Sequence, residues 1–183
     1  MSYVPGHMMP GRFAVFVAVG FALFLAACGR DSQAAGRDRV EQTTLEPPRG
    51  GCGHAACGDD FFVDMAPVGG CAVGDTCSVV LTLAARGDYH INDEYPYKFK
   101  AEDAPGVEFL GAGEGGKNVF SKSGMNWTKT GEKTGTMTVT FKPLAGGGKA
   151  IAGLFKFSVC SPQNCELEQQ TIKAAVSVHE RSQ

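Results

Sequence analysis

Five stretches of this chain alternate apolar and polar side chains with a period of two, and that rhythm narrows the fold more than any other feature. Val79, Leu81 and Leu83 alternate with Ser78, Val80 and Thr82, and Tyr97 and Phe99 with Lys98 and Lys100. Met137, Val139 and Phe141 alternate with Thr136, Thr138 and Thr140, and Phe155, Phe157 and Val159 with Lys156 and Ser158. Ile172, Ala174, Val176 and Val178 alternate with Lys173, Ala175 and Ser177. Successive strand side chains point to opposite faces, so each run offers one face to a core and one to water. Gly-, Pro- and Asp-rich breaks separate the runs, and segments near 61–66, 107–110 and 117–122 read as weaker strands. No stretch after residue 27 keeps a helical apolar stripe for three turns. Eight or so short strands predict an all-β chain, an immunoglobulin-like antiparallel β-sandwich, with a small barrel as the less favoured closure. The stretches 131–135 and 144–149 read as loops, and neither sits between a strand and a helix as a phosphate loop must.

The N-terminus is set apart from that pattern. Arg12 precedes an apolar run from Phe13 to Ala27, which has the length and flanks of a secretory signal rather than a membrane span. The run ends Leu25-Ala26-Ala27-Cys28, which resembles the lipobox of bacterial lipoproteins. That resemblance implies cleavage before Cys28 and a lipid on its sulfur, and multiple acyl chains make a stable anchor. Gly29 after Cys28 implies transit to the outer membrane. The expected location is therefore the bacterial cell envelope, lipid-anchored and facing the periplasm. Residues 28–58 are polar and carry Pro47-Pro48, the composition of a flexible tether, which leaves 59–180 for the folded domain. Losing residues 1–27 removes one charged side chain, Arg12, and moves the formal charge from −2 by one unit to −3. Such a balance argues neither for nucleic acid nor for an anionic membrane surface, and no nucleic-acid partner is expected.

Seven cysteines, less the lipidated Cys28, leave six in an exported chain, which suggests disulfides. Their spacing groups them locally as Cys52 with Cys57, Cys71 with Cys77, and Cys160 with Cys165, although six cysteines allow about fifteen pairings. The last couple flanks Ser161-Pro162-Gln163-Asn164, a short turn after a strand, with Pro162 early in the loop, where its restricted φ suits a type I turn. Residues facing each other across an antiparallel ladder stand roughly 4.5–5.5 Å apart at Cα. A disulfide tolerates about 4.4–6.8 Å, so this couple can close without moving the backbone. The alternation places Cys160 on the wetter face with Lys156 and Ser158, where an incoming thiolate has access. Residue chemistry alone favours a structural staple, yet a bond across so few residues removes little chain entropy, which points toward a working couple.

Gly87-Asp88-Tyr89-His90-Ile91-Asn92 after a strand, and Phe155 to Cys165 followed by a last strand ending near Val178, together resemble the periplasmic N-terminal domain of the DsbD family of thiol:disulfide interchange proteins. The likeness spans roughly residues 60–180. It implies an immunoglobulin-like sandwich in which Cys160 and Cys165 cycle between dithiol and disulfide. The implied partners are periplasmic thioredoxin-like or disulfide-bearing proteins. The membrane-spanning and thioredoxin-like regions of full-length family members have no counterpart in this sequence, so the resemblance implies either an electron donor acting in trans or a domain that has kept the fold and lost the task.

The remaining candidates read more plainly. Cys52, His54 and Cys57 are of the types that hold soft metals, but the spacing is not a standard zinc one, and a disulfide between Cys52 and Cys57 is favoured. That pair also offers a second dithiol for relay to Cys160 and Cys165. Cys71 and Cys77 bracket a Gly-Asp turn and read as a staple at the start of a strand. His90 reads as a rim histidine bonded to nearby backbone, and Trp127 as packing. No catalytic triad, paired-carboxylate motif or nucleotide fingerprint is present, and no cofactor or metal is expected.

Overall fold

The computed structural model describes Cys52, residues 55–112 and residues 114–181. The expected signal, Cys28, most of the tether and His54 lie outside these residues. Among them the chain forms eleven strands and no helix: β1 (Ala56–Cys57), β2 (Phe61–Val68), β3 (Cys77–Ala85), β4 (His90–Ile91), β5 (Lys98–Ala101), β6 (Val107–Phe109), β7 (Val119–Ser121), β8 (Trp127–Lys129), β9 (Thr134–Pro143), β10 (Gly147–Cys160) and β11 (Cys165–Val178). One sheet runs β1-β2-β3-β9-β6, with β8 also on β9; the other runs β11-β10-β5-β7, with β4 also on β10. Every strand pairing is antiparallel, and a single parallel bridge joins Ala72 to His179. The result is an immunoglobulin-like antiparallel β-sandwich.

The alternation read from the sequence supplies the core. Val79, Leu81 and Leu83 of β3, Met137, Val139 and Phe141 of β9, and Phe155, Phe157 and Val159 of β10 are all fully buried. Phe61 of the first sheet meets Phe157 of the second edge-on, with ring centroids 4.8 Å apart. Trp127 stacks on Tyr97 at 4.0 Å with an interplanar angle of 9°. That stack dictates a glycine on β9, because a Cβ at Gly135 would lie 2.3 Å from the indole ring.

Several strands differ from the sequence reading. The 61–66 segment forms a full eight-residue strand, β2, paired along its whole length with β3. The glycine-rich stretch 144–149 is not all loop: β10 begins at Gly147, opposite Val178 of β11. Side chains there are not needed, since the pairing of the long hairpin carries the strand past its glycines. β1, β4 and β8 are two or three residues long and have no periodic signal. β1 also starts at Ala56, ahead of the expected domain start at 59.

β11 changes character along its length. From Ile172 its inward side chains are buried, but from Cys165 to Thr171 none is, and the inward positions hold Glu166, Glu168 and Gln170. Inward-pointing charge on an edge strand is a known guard against pairing with another chain.

Candidate redox site

The register of the long hairpin sets Cys160 directly opposite Cys165. The backbone of Ser161 donates to the carbonyl of Asn164 at 2.7 Å, and the amides of Gln163 and Asn164 donate to the Ser161 hydroxyl at 3.3 and 3.1 Å. Hydrogen-bonded and non-hydrogen-bonded pairs alternate along such a ladder. Ser161 with Asn164 is the bonded kind, so Cys160 with Cys165 is the close, non-bonded kind. The two cysteines are disulfide-linked with Cα atoms 4.0 Å apart, slightly closer than the separation expected from sequence.

Access to this bond is one-sided. Cys165 is exposed, whereas Cys160 is only 6% exposed. Cys160 does occupy the outer face with Lys156 and Ser158, but that face is not wet at this point: Ser158 is fully buried. Two neighbours explain the correction. β4 pairs alongside, placing His90 opposite Cys160 and Ile91 opposite Val159. The segment at 92–97 is tied down by Asn92, whose amide donates to the Ser158 hydroxyl at 3.4 Å, and by the Tyr97 hydroxyl, 2.8 Å from the carbonyls of Asn92 and Ser158. An incoming thiolate therefore meets Cys165.

His90 is half-buried at the rim, as expected, but its ring makes no hydrogen bond among the described residues, contrary to the backbone-bonded reading. Beside it, Lys129 bonds the Asp93 carboxylate at 2.6 Å and holds that carboxyl below its ordinary range, with Lys122 and His90 adding to the effect. On the other flank of the hairpin tip an open cleft of about 530 Å³ is walled by Asp59, Asp60, Asp88, Glu166 and Glu168, with Arg86 among them.

The other two disulfides form as the local grouping predicts. Cys71–Cys77 spans 5.5 Å at Cα, and both residues are buried, at 6% and 5% exposure. Its loop is clamped by backbone bonds from Val73 to His179, from His179 to Cys71 and from Gly74 to Pro143. Cys52–Cys57 spans 6.6 Å, and both residues are exposed. Cys57 pairs with Phe62, on the outer face of the first sheet, whereas Cys160 and Cys165 lie on the outer face of the second. The two exposed bonds thus sit on the outer faces of different sheets. Bonded to each other, Cys52 and Cys57 offer no thiolate to a metal. The one-sided access at Cys165 was not visible in the sequence, because it depends on where the 92–97 segment lies; the aromatic run Tyr95-Pro96-Tyr97 after a short strand was the available sign.

No family model matches the chain, and no curated protein matches it. Among solved structures it is similar to a cohesin module from a family 33 glycoside hydrolase of Clostridium perfringens, at 12% identity and a TM-score of 0.40, covering 67% of this chain and 98% of that one. It is similar to AggA, the major subunit of aggregative adherence fimbriae type I from Escherichia coli, at 12% identity and a TM-score of 0.32, covering 68% and 99%. It is also similar to an ASH/PapD-like domain of human CEP192, at 14% identity and a TM-score of 0.31, covering 66% and 87%. What those proteins bind or assemble into stays with them.

Proposed function

We propose that this domain exchanges thiols and disulfides with partner proteins through Cys160 and Cys165, held at the bacterial cell envelope by a lipid on Cys28. The observation that carries the reading is the uneven exposure of the couple: Cys165 open, Cys160 covered, at the tip of a hairpin whose closure adds little to stability. Disulfide exchange needs in-line access to one sulfur and a leaving thiolate on the other. A partner thiolate attacks the Cys165 sulfur, the Cys160–Cys165 bond breaks, and its electron pair goes to the Cys160 sulfur. The partner's second thiolate then displaces Cys165, leaving this domain as the dithiol and the partner as the disulfide. Run in reverse, the Cys165 thiolate attacks a partner disulfide and Cys160 resolves the intermediate. The resemblance of residues 60–180 to the DsbD N-terminal domain supports periplasmic thioredoxin-like or disulfide-bearing partners.

A Cys160→Ser variant, leaving Cys165 to attack, tests this. It should accumulate a mixed disulfide with a thioredoxin-like protein, and Cys160→Ser/Cys165→Ser should not. A couple with a potential below about −300 mV and no exchange within minutes is a staple. The second reading is then the better one: an envelope lipoprotein with three permanent disulfides, favoured by the fact that all six described cysteines are bonded.

A further inference from the structure

We propose that His90 is the proton donor to the Cys160 thiolate released when the Cys160–Cys165 bond opens, a role that rests on the exchange reaction above.

The ladder positions that neighbour Cys160 on the outer face are Cys165, Leu167, Ser158 and His90. Of these, His90 alone carries an imidazole, the side chain suited to both giving and taking a proton. Because Cys160 with Cys165 is the non-hydrogen-bonded kind of pair, Cys160 with His90, across the other edge of β10, is the hydrogen-bonded kind. Facing Cα atoms there stand about 5.5 Å apart with both side chains on one face, a separation an imidazole spans. Ile91 is fully buried opposite Val159, so the preceding residue, His90, falls on the outer face that also carries Cys160. Lys156, the nearest cation along β10, lies four residues away, or about 13 Å along a strand.

Two further facts separate His90 from an ordinary rim histidine. Its ring has no hydrogen-bond partner among the described residues while the disulfide is closed, so it is free to serve a group that appears only when the bond opens. Cys160 is buried, and burial disfavours a thiolate unless a charge or donor compensates. The charged surroundings of His90 come from several elements. Asp93 and Glu94 follow it in its own segment; Lys122 binds the Asp93 carbonyl and Lys129 the Asp93 carboxylate. From the turn before β9, the Glu132 carbonyl accepts the Ile91 amide, and the Lys133 ammonium binds the Gly87 carbonyl.

In the step itself the attacking thiolate forms a bond to the Cys165 sulfur, the electron pair of the broken bond passes to the Cys160 sulfur, and protonated His90 gives that sulfur its proton. The neutral imidazole then recovers a proton from water. Run in reverse, neutral His90 takes the proton from the Cys160 thiol as it resolves the mixed disulfide.

The test uses two preparations of the full chain. In Cys165→Ser, Cys160 is a lone thiol whose alkylation by iodoacetamide is followed against pH; adding His90→Gln should cut its thiolate fraction at pH 7 about tenfold. In the oxidised wild-type domain, reduction of Cys160–Cys165 by dithiothreitol, quenched by alkylation, should slow about tenfold at pH 6 in His90→Gln and match wild type at pH 9. An unchanged melting temperature and an intact Cys71–Cys77 bond show that the variant is folded, and His90→Asn serves if glutamine disturbs the rim. Superimposable pH profiles, or equal Cys160 titrations, overturn the proposal. Dithiothreitol opens any accessible disulfide, so this result does not depend on a protein partner. Equal profiles beside a trapped mixed disulfide remove His90 and leave the exchange function standing, whereas altered profiles with no trapped partner remove the function and leave the pairing of His90 with Cys160.

Discussion

Graded reduction of the oxidised domain should open Cys160–Cys165 about a hundredfold faster than Cys71–Cys77. The first bond offers an exposed residue, Cys165, to attack without prior movement. The second has both residues buried, so its loop must lift before a thiolate reaches either sulfur. Lifting breaks the backbone bonds Val73 to His179, His179 to Cys71 and Gly74 to Pro143, which are 3.0, 2.9 and 2.8 Å long. At a net value of about 1 kcal/mol each, the opening costs about 3 kcal/mol before any exposed apolar surface is counted. Local openings of this kind set the reactivity of protected groups. Since about 1.4 kcal/mol is a factor of ten, the protection amounts to roughly two powers of ten. The assay is a time course in dithiothreitol, quenched with iodoacetamide and read by peptide mass spectrometry, with the fraction alkylated recorded for each cysteine. Rates within threefold of each other, or prior opening of Cys71–Cys77, would refute the argument, because burial and clamping would then not govern access.

Three further outcomes follow from the core. Phe157→Ala removes a fully buried ring that touches Phe61 and Phe155, and should lower the unfolding free energy in urea by about 3–5 kcal/mol. Gly135→Ala drives a methyl into the Trp127 ring and should cost about 1–3 kcal/mol, with an altered fluorescence spectrum from this single tryptophan reporting the lost stack on Tyr97. Burial pushes the Tyr97 phenol above its ordinary value of 10.0, so the unfolded chain loses that proton at lower pH than the folded one. Stability against urea should thus be level from pH 7 to about 9 and fall above about 10 by up to about 1.4 kcal/mol per unit, and Tyr97→Phe should remove that decline.

The strands that could be read from the sequence are those whose inward positions are filled by large apolar groups: β3, β5, β9, the second half of β10 and the second half of β11. Their periodicity arises directly from burial. What was not legible depended on pairing rather than on side chains. Gly147 and Gly148 are in a strand because Val178 and Ser177 lie opposite them, and β4 exists because Val159 and Cys160 have a free edge to offer. The couple at Cys160 and Cys165 was legible because four intervening residues and a proline specify a short turn. Which sulfur is open was not, since Cys160 is covered by a segment about seventy residues earlier in the chain, tied through Asn92 and Tyr97 to Ser158. The same holds for His90, whose place opposite Cys160 is a matter of register between distant strands.

The half of β11 with no fully buried side chain gives the hairpin an independence the rest of the sandwich lacks. Between Cys165 and Thr171 that strand is held by backbone bonds to β10 rather than by apolar grip, and its side-chain bonds, Asn164 to Glu166 and Gln170 to Glu168, stay within the tip and the strand itself. A visiting molecule can therefore pull at the tip, or tilt it, while Ile172 and the residues beyond keep the lower strand seated. Movement at that corner would be borne by solvated hydrogen bonds, leaving the buried core almost untouched.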